Sequence, residues 1–132
     1  MKKRLEALEK IERLQKQMHD LAVWRLTALG RERDGLADNH REMLEAMGRG
    51  VVFYGAPAAA AMRRIRRLER EIAAADAEVE AQTRRALDQG TRAKLADRAR
   101  ENADARYRDQ RQRKELADLI ENSLRNPKSS SA

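Results

Sequence analysis

The chain has 132 residues, of which 39% are charged and only 3% aromatic, and its formal net charge is +7. This shortage of large apolar side chains excludes a compact globular core. The polar residues are mainly Glu, Arg, Gln and Lys, which with Ala favour helix, and proline occurs only twice. We therefore expect an almost wholly helical protein.

A first helix is predicted over residues 2–47, because apolar side chains recur there with the 3.6-residue spacing of one helical face. Trp24 lies on the far side of this helix from the apolar stripe, where an indole can anchor a partner or pack on its long neighbours. The stripe consists of Ile11, Leu14, Met18, Ala22, Arg25, Leu29, Arg33, Leu36, His40, Met43 and Met47.

A turn is predicted over residues 48–56, where three glycines, two aromatics and two β-branched residues are concentrated before Pro57. A proline fits the first turn of a helix, because its N–H is not needed there. A second helix should therefore begin at Pro57.

The second helix is predicted over residues 57–125, with a disordered tail at 126–132 after Asn126-Pro127. Its heptad pattern predicts two long helices that form an antiparallel coiled-coil hairpin, the second helix being the longer. The residues at the two seam positions of this heptad are Ala61, Ile65, Leu68, Ile72, Ala75, Val79, Gln82, Ala86, Gln89, Ala93, Ala96, Arg100, Ala103, Tyr107, Gln110, Lys114, Ala117 and Leu124.

Unequal helix lengths leave residues 104–125 without an intramolecular partner, so this is where we expect function. Basic side chains surround one aromatic residue there, which favours docking on an acidic protein surface. The predicted partner-binding residues are Arg100, Arg106, Tyr107, Arg108, Arg111, Arg113, Lys114 and Trp24.

Catalysis is not expected. His19 and His40 are the only histidines, they lie roughly 30 Å apart on one helix, and the chain has no cysteine. No phosphate-binding glycine loop is present either. The longest uncharged stretch, residues 51–62, is shorter than the roughly 20 apolar residues of a membrane span. Without an export signal, we expect a cytoplasmic, non-enzymatic protein without cofactor or metal.

The segment from residue 107 to 118 reads Tyr-Arg-Asp-Gln-Arg-Gln-Arg-Lys-Glu-Leu-Ala-Asp. This segment, together with a basic chain of a shorter and a longer helix, resembles the FliJ proteins of flagellar type III export and their YscO-type injectisome relatives. The resemblance in architecture covers residues 1 to about 120, and the resemblance in local sequence covers residues 112–118.

The resemblance implies a stalk similar to the γ subunit of rotary ATPases, which enters the export ATPase ring and contacts the export gate and substrate chaperones. Such a protein would hydrolyse nothing itself and would meet membranes only through its partners. By this analogy the helix ends that meet the ATPase include Arg106, Tyr107, Arg108, Arg111, Arg113 and Lys114.

Two alternatives use the same segment. The arginines could bind the phosphates of a nucleic acid, although acidic residues are interleaved with them and no basic-region or helix-turn-helix pattern is present. The chain could also be a structural coiled coil that dimerises through the unpaired half of its second helix.

Overall fold

The computed structural model describes residues 2–49 and 56–126. Within these residues it contains two helices, α1 (Lys2–Gly48) of 47 residues and α2 (Ala56–Arg125) of 70 residues, and no strand. The helices pack against each other, so the predicted all-α hairpin with a longer second helix is confirmed. The predicted turn residues 50–55 and tail residues 127–132 lie outside the described residues.

The helix ends lie close to their predicted positions. Helix α1 includes Gly48, and the N–H of Arg49 donates to the carbonyl of Glu45 at 3.0 Å, which continues the last turn. Helix α2 starts one residue before Pro57, and the N–H of Asn126 donates to the carbonyl of Asn122 at 2.9 Å. The proline that follows Asn126 disfavours helix at the residue before it, which explains why α2 ends at this point.

The described chain forms two compact units, one of residues 17–49 and 56–90 and the other of residues 2–16 and 91–126. We call them the turn unit and the terminal unit, and each combines part of α1 with part of α2. In the turn unit, the imidazole of His40 lies 3.3 Å from the Glu69 carboxylate and the amide of Gln82 donates to the carbonyl of Ala22 at 3.0 Å. Residue numbers fall on α1 as they rise on α2, so these segments are antiparallel.

The side chains of α2 that are buried against α1 form a seam with the predicted heptad spacing. Every predicted seam position from Ala61 to Tyr107 is buried or half-buried. Because many of these residues are alanines, the facing helix can approach closely. The remaining predicted seam residues, Gln110, Lys114, Ala117 and Leu124, are exposed.

The predicted stripe of α1 is wrong in its first third. Ile11, Leu14 and Met18 are 47%, 54% and 42% exposed, and Arg25 is exposed as well. A coiled-coil seam repeats every 3.5 residues, so a row chosen at 3.6 drifts from it by about 20° per heptad. The buried or half-buried row of α1 is Leu5, Leu8, Glu12, Gln15, His19, Ala22, Leu26, Leu29, Arg33, Leu36, His40, Met43 and Met47.

Candidate docking surface

The terminal unit contains a stretch of α2 that α1 does not cover. Lys2 lines one surface groove with Tyr107 and Gln110, close to where α1 begins. Tyr107 is half-buried, whereas every residue from 108 to 126 is exposed. We call residues 108–126 the extension. It starts about one turn later than the predicted position 104, because the start of α1, at Lys2, lies beside Tyr107 and Gln110.

Three arginines of the extension pair with carboxylates one turn away on the same helix. The distances between nitrogen and oxygen are 3.7 Å for Arg111 and Glu115, 3.3 Å for Arg113 and Asp109, and 2.6 Å for Arg125 and Glu121. Exposed pairs of this kind stabilise a helix by only a few tenths of a kcal/mol, roughly 0.3–0.5. A partner can therefore replace these carboxylates at little cost.

Three other predicted cations have no such carboxylate. Within residues 2–49 and 56–126, Arg106, Arg108 and Lys114 lie outside ion-pair distance of every Asp and Glu. Arg106 and Arg108 flank Tyr107 along the chain, as predicted from the sequence. This part of α2 therefore has an excess of unneutralised positive charge next to an aromatic ring.

Large apolar side chains follow the basic part of the extension. Leu116 is 59% exposed and Leu124 is 77% exposed, with Leu119 and Ile120 between them also in solvent. Each such side chain gains roughly 1.5–3 kcal/mol when it is fully buried. Apolar contact and positive charge are thus both available on one helix, which suits an amphipathic protein surface better than a purely anionic one.

Arg100, the first of the predicted docking residues, lies in an ion cluster inside the terminal unit. Its guanidinium contacts the carboxylate of Glu12 on α1, and it also lies 3.3 Å from Asp97 and 2.8 Å from Asp104. Glu12 is only 6% exposed, and its carboxylate also forms an ion pair with the Nζ of Lys16 at 2.9 Å. Arg100 would have to leave three carboxylates in order to bind a partner.

Contacts within the cluster favour the charged forms of Asp97, Arg100 and Lys16. The hydrogen bond from Arg100 lowers the pKa of Asp97, and the same hydrogen bond raises the pKa of Arg100. The hydrogen bond with Glu12 raises the pKa of Lys16. These directions are what opposite charges in contact produce, so the cluster works as a contact between α1 and α2.

Sequence reasoning missed Glu12, because an acidic residue interrupts the apolar stripe that was used to orient α1. A usable signal was present in the predicted seam of α2, which already contained Arg100. An arginine that faces another helix needs an opposite charge there, and Glu12 supplies it.

Trp24 belongs to the turn unit, so the structure does not place it with the other predicted docking residues. Trp24 is 69% exposed, which agrees with its predicted position opposite the stripe. Its role as a partner anchor stays a prediction.

Among the described residues, no three His, Asp or Glu side chains are grouped as a metal ion would need. Neither helix has, over its described residues, a stretch long and apolar enough to cross a bilayer. Comparison of the chain with family models, curated proteins and solved structures found no match.

Proposed function

We propose that the chain is a non-catalytic coupling protein that docks its extension on an acidic surface of a protein partner. The observation that carries this proposal is the complete exposure of residues 108–126, where α2 continues beyond the cover of α1. The sequence resemblance to the FliJ and YscO-type proteins supports a flagellar or type III export apparatus in the cytoplasm as the setting. The partner would then be the export ATPase ring, with the export gate or substrate chaperones as further contacts.

Physical chemistry supports a binding role for the extension. Most of the stability of a helix in a protein comes from tertiary packing of its apolar face, and the exposed residues 108–126 lack such packing within the described chain. Leu116, Leu119 and Ile120 contribute little intramolecular burial in their exposed positions. Docking would bury them and bring Arg106 and Arg108 to carboxylates of the partner. The partner would thus supply the apolar contacts and the counter-charges that these residues lack within the described chain.

A chain that ends at Tyr107 tests this proposal directly. It keeps every buried seam residue of α2 and removes the extension, so we expect unchanged packing of the helix pair and loss of binding to the purified export ATPase in calorimetric titration. Undiminished binding by the shortened chain would contradict the proposal.

A charge-matched comparison separates specific docking from general attraction. Arg106→Glu with Arg108→Glu should weaken ATPase binding by on the order of a hundredfold. Arg63→Glu with Arg67→Glu changes the net charge equally at exposed positions of the turn unit, and should leave binding within about twofold. An equal loss of ATPase affinity in both double variants would mean that binding depends only on the net charge of the chain.

The two alternatives predict other results. Binding of phosphates by the arginines would appear as affinity for DNA or RNA that falls steeply with salt, and it would not depend on the apolar residues of the extension. Dimerisation through the extension would appear as a concentration-dependent mass in light scattering, and the chain that ends at Tyr107 would abolish it.

A further inference from the structure

A shallow groove runs along the terminal unit beside the seam. Leu5 and Leu8 of α1 form one wall, and Ala99 and Ala103 of α2 form the other. Its volume is about 230 Å³, below the roughly 300–1,000 Å³ of small-molecule sites. Since it is also open to solvent along the helices, the groove suits a row of side chains from another helix.

The face of α2 that lines the groove continues beyond the part of the helix that α1 covers. From Ala99 and Ala103, alternating steps of three and four residues stay on one helical face. The later members of this row are all exposed, and they are Arg106, Gln110, Arg113, Ala117, Ile120 and Leu124. The row is thus apolar at both ends and basic in its middle.

We propose that this row and groove accept a single helix from another protein, with apolar side chains at both ends and carboxylates in its middle turns. Such a helix would follow α2 from Ala99 to Leu124, roughly 37 Å at the rise of an α-helix. It would form a third helix beside the pair in the terminal unit. This inference rests on the proposed function only in treating the extension as a binding segment.

The charges on the row decide the chemistry of the partner. Arg106 and Arg4 border the groove, and no carboxylate of the described chain lies within ion-pair distance of either. Nε of Arg113 lies 3.3 Å from Oδ2 of Asp109, but both side chains are more than half exposed, so Arg113 can exchange this carboxylate for one of the partner. A helix with Glu or Asp opposite Arg106 and Arg113 would give these cations the charge-assisted hydrogen bonds that a carboxylate offers.

Two other occupants fit the row less well. The row from Ala99 to Leu124 contains no Asp or Glu, so a second copy of the same face would bring arginines near arginines. Like charges brought together in this way cost several kcal/mol, roughly 2 or more. A nucleic acid would satisfy the arginines but would leave Ile120 and Leu124 exposed. An acidic helix matches both the charged and the apolar members.

Two labelled synthetic helical peptides of about 25 residues test the inference. Both carry Leu in their end turns, while one has Glu and the other Lys at the middle positions that face the row. Fluorescence anisotropy with the full chain should show at least about tenfold tighter binding of the Glu peptide. Equal binding of the two peptides would overturn the charge argument. Tighter binding of duplex DNA than of the Glu peptide, or a dimer of the chain that the Glu peptide cannot dissociate, would assign the row to another occupant.

Matched substitutions locate the face. Arg106→Glu and Arg113→Glu should each weaken binding of the Glu peptide by about tenfold, and Ile120→Asp should weaken it without altering a basic residue. Lys94 is the control, because it is also exposed but lies five residues before Ala99, about 140° from it around the axis of α2. Lys94→Glu should therefore change the affinity by less than about twofold.

The outcomes separate this inference from the proposed function. Equal effects of Arg106→Glu and Lys94→Glu on the Glu peptide would overturn the assigned face. If the full chain binds the export ATPase but neither peptide, the inference falls and the proposed function stands. If the Glu peptide binds with the expected pattern and the ATPase does not bind, the proposed function falls and the docking face stands.

Discussion

The carboxylate of Glu12 on α1 contacts the guanidinium of Arg100 on α2, and each residue occupies a seam position of its helix. The contact lies in the terminal unit, where the neighbouring seam residues of α2 are the small side chains Ala96 and Ala103. Charge pairing therefore replaces much of the apolar contact that a coiled coil normally uses at these positions. Buried polar groups are known to specify register in coiled coils.

Removal of one partner should expose this dependence. Arg100→Leu leaves the nearly buried Glu12 with Lys16 as its remaining cation, so we expect amide protection in residues 2–16 to fall by about tenfold or more. The double variant Glu12→Leu with Arg100→Leu should restore protection to at least the original level, since apolar side chains then fill the seam. Hydrogen exchange measures the protection in both variants. If the double variant were no better protected than Arg100→Leu, the loss would not come from leaving Glu12 without Arg100.

The stability of the fold should decrease at low pH, where the carboxylate of Asp97 becomes protonated. Its pKa is held below the ordinary 3.8 by the hydrogen bond from Arg100, with Glu12 and Lys16 also facing the cluster. A carboxyl group with a lowered folded pKa stabilises the fold above its unfolded pKa, and this stability is lost as pH falls through the folded value. The contribution should therefore persist down to about pH 4 and disappear below it. Carbon-detected NMR of the Asp97 carboxyl checks the midpoint, and Asp97→Asn should remove this part of the acid dependence.

Glycine substitutions should separate helix propensity from packing. A side chain at Gly30 would meet no atom within 4 Å, so Gly30→Ala should stabilise the fold by about 1 kcal/mol. A Cβ at Gly90 would lie 3.2 Å from Nε2 of His19, so part of the same gain is lost in moving the imidazole. Thermal unfolding should rank Gly30→Ala above Gly90→Ala, and the gap should close when His19→Ala is added. If the difference in stability between the two variants persisted with His19→Ala, contact with the imidazole would not be its cause.

A buried amide in the turn unit offers a further test. Gln82 is 3% exposed, donates to the carbonyl of Ala22 at 3.0 Å and accepts from Arg85 at 3.2 Å. The Ala22 carbonyl keeps its own helical partner, so Gln82→Leu strands no group and should raise stability by about 1 kcal/mol. Gln82→Ala should lower it by a similar amount. Denaturant unfolding measures both changes. If the fold required the hydrogen bond of Gln82, both variants would be less stable than the original chain.

The seam of α2 was predictable because its heptads are continuous, and the predicted positions from Ala61 to Tyr107 are all buried or half-buried. The phase of α1 was harder, since Ile11, Leu14 and Met18 form a convincing apolar row that stays exposed. Sequence spacing alone does not distinguish that row from the adjacent one, where Glu12 packs. Arg100, which faces α1, was a local sign of the correct row.

The docking surface was predictable in part. Helix lengths located an uncovered end of α2, and the structure shifts its start from about 104 to 108. The groove at Ala99 and Ala103 was not foreseen, because alanines reveal a groove only once Leu5 and Leu8 are placed beside them. Which arginines are already paired was likewise invisible without side-chain positions.

Hydrogen exchange across α2 in the isolated full chain tests the central claim most directly. If the extension has no intramolecular partner, amides in residues 108–126 should exchange at least about a hundredfold faster than those in the seam from 61 to 103. Protection in the extension equal to that of the seam, at concentrations where light scattering shows a monomer, would mean that the chain covers its own end and would contradict the account.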